Sequence, residues 1–114
     1  MAPVEDIYHI TGKFPKNEHY EIVSQMRRSA ISVPSNIAEG AARNSNKVYV
    51  QFIYISLGSL PELETQVMIA QRLHFIDSGE TVTDKITVIR QMLLNLVKHL
   101  RVTKRLTNPL TDRR

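Results

Sequence analysis

Val82, Ile86, Ile89, Leu93, Leu96 and Leu100 follow one another at alternating steps of four and three. Only a helix returns side chains to one face at that spacing, and so regular a seam packs against other helices at a shallow angle. Such an element needs helical partners, and the rest of the chain supplies them. Val4, Ile7, Tyr8 and Ile10, ending at Thr11-Gly12, predict a short first helix, with Phe14-Pro15 as the connection. Asn17, alone or with Lys16, can cap a second helix that carries Glu18 and Glu21 in its first turn, where carboxylates suit the positive end of the dipole. Its apolar stripe is Ile22, Met26, Ser29/Ala30, Val33 and Ile37, with the exit at Gly40 to Asn46. Pro34 removes one helical hydrogen bond, and because the apolar phase is the same on both flanks it predicts a kink and not a break.

Local propensity favours a strand for Val48 to Ile55, which are β-branched and aromatic almost throughout. A lone strand would have no partner here, and Phe52, Ser56, Ser59/Leu60, Leu63, Val67 and Ala70 continue at helical steps to Leu73. The segment therefore reads as a third helix, bent near Leu57 by Pro61. Val48, Ile55, Leu57 and Ile69 lie outside its main stripe, so it is apolar nearly all round and needs cover from a second subunit. Asp77-Ser78-Gly79 is expected to close it, Thr81 to Asp84 to open the last helix, and Thr107-Asn108-Pro109 to end that one. With 114 residues the reading is one all-α domain of four helices over residues 1–106, the first of them short, with a basic tail over 107–114, assembling into a homo-oligomer.

There is no cysteine, so disulfides and thiolate metal sites are excluded. The acidic start and the interruption of apolar stretches by Gln51, Ser56, Gly58 and Pro61 give no signal peptide and no membrane span, and predict a cytoplasmic protein. His9, His19, His74 and His99 are isolated from one another, none with a second histidine three or four residues away. Ser32, Ser35 and Ser59 have no histidine near them, no phosphate-cradling glycine loop occurs, and Glu39 is expected to be a hydrogen-bonded member of a polar row. The expectation is a protein that is not an enzyme and uses no cofactor.

Charge is unevenly placed. Residues 48–84 hold one basic and five acidic side chains, whereas 85–114 hold eight basic and one acidic. Arg90, Lys98, Arg101, Lys104 and Arg105 share about a third of the last helix's circumference. Together with Arg43 and Lys47 at the loop between the second and third helices they are the candidate nucleic-acid contacts, RNA or DNA, by sequence-independent attraction to phosphate. The shortage of aromatics on that face argues against stacking on single strands. The alternative is a protein-interaction scaffold, for which Leu94 and Val97 are the candidate exposed apolar residues.

A second constellation is the polar row along the second helix, Arg27 or Arg28, Ser32, Ser35 or Asn36, and Glu39. If the second and third helices form a hairpin, facing residues have numbers adding to roughly 90. Arg28 then faces Glu62, Arg27 lies near Glu64, Ser32 faces Gly58, and Glu39 faces Gln51. This predicts structural ion pairs that fix the register, and a close approach of small residues.

The stretch Gln25-Met26-Arg27-Arg28-Ser29-Ala30-Ile31-Ser32-Val33-Pro34-Ser35-Asn36-Ile37-Ala38-Glu39-Gly40, followed by Gly58-Ser59-Leu60-Pro61-Glu62-Leu63-Glu64-Thr65-Gln66, resembles the four helix bundle proteins related to the 23S rRNA intervening-sequence protein. The similarity runs from about Tyr8 to Leu100. It implies an antiparallel four-helix bundle in a ring-like homopentamer. It also implies kinship with the accessory variability determinant of diversity-generating retroelements, a basic protein that works with nucleic acid and a reverse transcriptase. Members usually carry a longer first helix before the Phe-Pro turn, and a helix former where this chain has Pro61.

Overall fold

A computed structural model describes residues 2–14, 20–77 and 80–112, with side chains placed for 3–14, 21–77 and 81–102. Four helices follow in order: α1 (Ala2–Thr11), α2 (Tyr20–Ala41), α3 (Asn46–Arg72) and α4 (Glu80–Asp112). No strand occurs among the described residues, so Val48 to Ile55 is helical as its continuing apolar phase requires. Each helix packs on its neighbours in the order α1, α2, α3, α4 and back to α1, which makes an antiparallel bundle.

The core takes in most of the predicted stripes, with Val50 and Ile53 inward where the spacing predicts Phe52, and Tyr8 outward. Ile7, Met26, Ile53, Leu60, Leu63, Val67 and Ile86 are almost completely buried, joined by Val33, Ala70, Val82, Leu93 and Leu100. Phe14 and Phe75 close one end with ring centroids 5.1 Å apart. α1 has 10 residues and α3 has 27, or about 15 Å against about 40 Å, so the fourth corner is filled over only part of the bundle's length. The opposite end, at the turn between α2 and α3, is built from the three longer helices.

Pro34 of α2 and Pro61 of α3 lie within unbroken helices. Beside Pro34, Ser56 Oγ donates to the Val33 carbonyl at 2.8 Å, and Ser56 is fully buried. The α2–α3 turn is tight because Ser45 caps α3, its side chain accepting from Val48 N at 3.3 Å.

Two helix ends differ from expectation. α3 stops at Arg72, ahead of Asp77-Ser78-Gly79, in a cap where Phe75 N donates to the Ala70 carbonyl at 2.9 Å and His74 takes φ 62°. His74 thus does the work usually left to glycine, and no glycine marks the stop in the sequence. α4 runs through Pro109 to Asp112, so no break at Thr107 to Pro109 separates a tail over 107–112. A proline removes one N–H and crowds one carbonyl, which weakens a last turn without ending it. The expected cap at Lys16 and Asn17, with Glu18, lies outside the described residues.

Candidate nucleic-acid interface and the polar groove

The hairpin register holds. Ser59 Oγ donates to Ser32 Oγ at 2.9 Å, Ser29 Oγ donates to Glu62 Oε1 at 3.3 Å, and Ser56 bonds Val33, pairs whose numbers all add to about 90. The predicted ion pairs do not form. Arg28 is exposed and makes no ion pair or hydrogen bond among the described residues, although Glu62 lies across the same groove. Arg27 turns the other way, its Nε donating to Thr11 Oγ1 at 3.0 Å and its guanidinium standing 4.3 Å over the Tyr8 ring. Glu64 accepts from Arg90 of α4 at 2.6 Å, and Glu39 pairs with Arg43 one turn along its own helix. Register was readable from numbers because it depends on Cα positions. Long side chains span several residues, and which cation meets which carboxylate depends on what the flanking helices α1 and α4 offer.

What remains of the polar row is an uncharged hydrogen-bond chain. Asn36 Nδ2 donates to the Ser32 carbonyl at 2.8 Å and to Ser32 Oγ at 3.0 Å, and Ser59 joins from α3. Gln66 Oε1 is buried nearby with no hydrogen-bond partner among the described residues. Close approach of the two helices occurs at Gly40, against Phe52 and Tyr49, and not at Gly58, which has open space around it.

The basic candidates separate into three groups. Arg90 and Arg43 are neutralised by Glu64 and Glu39. Lys104 and Arg105 have side chains outside the described residues. Lys98 is exposed, and Lys47 of α3 and Arg101 of α4 line one groove of about 260 Å³, floored by the buried Val50 and Leu100. Tyr54, overlooked in the sequence because it lies on α3, stands in the same groove and accepts a hydrogen bond from Arg101 Nη2 at 3.1 Å. Asn46 Nδ2 ties the two helices there by donating to the Leu100 carbonyl at 3.3 Å.

Electrostatics at this end follow from the sequence. α3 has no acidic residue from Asn46 to Pro61, and α4 has none from Lys85 to Thr111. The five acids of residues 48–84 all lie at Glu62 or beyond, toward the other end of the hairpin. Of the two scaffold candidates, Val97 is buried at 3 % exposure and belongs to the core, while Leu94 is 38 % exposed. Val97 lies next to the α4 seam, between Leu96 and Leu100.

Among the described residues no group of three or more His, Cys, Asp or Glu side chains is placed to hold a metal ion. No helix among them is long and apolar enough to cross a membrane.

These features define an all-α, four-helix protein with a cationic end. The chain matches the 23S rRNA-intervening sequence protein family over residues 1–95, and it belongs to that family. The match begins at the first residue, so it takes in the short α1 as well as the two motifs. No curated protein matches the chain.

Proposed function

We propose that this protein is a non-catalytic, homo-oligomeric four-helix bundle that binds nucleic acid through the cationic end made by α4 and the start of α3. The observation that carries this reading is the grouping of Lys47, Lys98 and Arg101 on a part of the bundle where neither α3 nor α4 bears a carboxylate. Cations without carboxylate partners keep their charge available to phosphate, and repetition of that end in an oligomer multiplies it. Arg90 and Arg43 contribute less, since each already has a carboxylate. The resemblance to retroelement accessory proteins extends the proposal to a partner role beside a reverse transcriptase in the cytoplasm.

Neutralising Lys47, Lys98 and Arg101 together to Gln tests it. Affinity for RNA and DNA of any sequence should fall, and the slope of log K against log salt should flatten by roughly 0.7 to 0.9 for each phosphate that is no longer neutralised. A wild-type protein that binds neither nucleic acid at low salt removes the proposal.

A second reading has its own observation. Ile55, Met68 and Ile69 on α3 and Val88 and Met92 on α4 are each between 42 % and 62 % exposed. Outward apolar groups on two helices favour burial against other copies of the chain or a protein partner. Should nucleic-acid binding fail, this scaffold role takes its place.

A further inference from the structure

We propose that the groove between the start of α3 and α4 receives an unpaired nucleotide, its base stacked on Tyr54 and its phosphate held by Lys47 and Arg101, so that the preferred nucleic acid is single-stranded. The inference rests on the nucleic-acid reading above and adds the strandedness of the ligand. Tyr54 is 45 % exposed, so part of its ring surface is open to a ligand in the groove. Arg101 covers it only in part: its guanidinium carbon lies 5.6 Å from the ring centroid, and its Nη2 is 3.1 Å from the phenol oxygen. Arg27 sits closer over Tyr8, at 4.3 Å.

The rest of the groove suits the same ligand. Val50 and Leu100 form an apolar floor at 8 % and 9 % exposure, and Lys47 stands on the wall with no carboxylate among the lining residues. A flat, apolar-faced group with an anionic tail fits such a site, and a base with its phosphate has that chemistry. In a duplex the base faces are already stacked on one another, so a paired strand can use the two cations but not the ring. The shortage of aromatics on the basic face of α4 therefore does not preclude stacking, because α3 supplies the aromatic across the helix–helix boundary.

Tyr54→Trp provides the direct test, since the chain contains no tryptophan and the new indole would be its single indole emitter. Titration with a single-stranded oligo(U) or oligo(dT) should quench that emission to saturation, and a matched duplex should not. In parallel, Tyr54→Ala should weaken single-strand binding on the order of 5- to 100-fold, leave duplex binding within about twofold, and be rescued by Tyr54→Phe. Thermal melts of the variants guard against a folding defect, which an exposed position should not produce. If Tyr54→Ala binds single strands as the wild type does while loss of Lys47 and Arg101 abolishes binding, stacking is overturned and electrostatic nucleic-acid binding stands. If the wild type binds neither form, both readings fall.

Discussion

Gly40 lies so close to Phe52 that a Cβ added to the glycine would stand 2.7 Å from the Phe52 Cβ, with the Tyr49 ring 2.9 Å away. Here α2 and α3 approach closely, near the point where the chain reverses. Gly40→Ala should therefore cost about 1–3 kcal/mol through overpacking. Gly58→Ala has open space and a helical backbone, so it should stabilise the protein by about 0.5–1 kcal/mol. Urea unfolding of the two variants checks the opposite signs, and equal effects would contradict the placement of the close approach.

Arg28→Ala should change stability by no more than about 0.5 kcal/mol, since the side chain is exposed and unbonded among the described residues. Ser59→Ala removes the donor that links α3 to Ser32 and should cost about 1 kcal/mol. A loss above about 2 kcal/mol for Arg28→Ala in thermal melts would mean that it does meet Glu62 in solution.

His74 holds a left-handed conformation that disfavours any side chain by about 1–2 kcal/mol. Replacement by glycine relieves that cost but gives the unfolded chain more freedom, so His74→Gly should raise stability by up to about 1 kcal/mol. A lowered melting temperature would point to a role for the imidazole.

Arg90 and Arg101 carry equal charge on one helix, but only Arg90 has a carboxylate at 2.6 Å. Arg90→Gln should leave nucleic-acid affinity within about twofold and cost under about 1 kcal/mol of stability, because the pair is a third exposed. Arg101→Gln should lower affinity and the salt slope together. Equal losses for both variants, measured in the same salt series, would show that Glu64 releases Arg90 on binding.

Ile55 and Ile69 are 52 % and 42 % exposed in the single chain. Size exclusion with light scattering should give a homo-oligomer, and Ile55→Glu with Ile69→Glu should lower its mass. A wild-type monomer at micromolar concentration would leave these residues without a reason to be apolar.

Periodicity alone determined the four helices, most of their core stripes and the register of the α2–α3 hairpin, because each depends on backbone repeats that recur every three or four residues. Met26, Val33, Leu63 and Leu93 are buried where the spacing placed them. Tertiary structure decided what the long and polar side chains do. Arg27 chose Tyr8 and Thr11 on α1, Glu64 chose Arg90 on α4, and Tyr54 came to stand beside Arg101 from a helix whose sequence reads as core. Linear spacing fixes the direction of a side chain around its own helix but not the neighbour at its tip, which is set by the packing distance and angle of a different helix. The stop of α3 at His74 belongs with these, since a left-handed residue other than glycine leaves no mark in composition and is held there by the cap's hydrogen bonds.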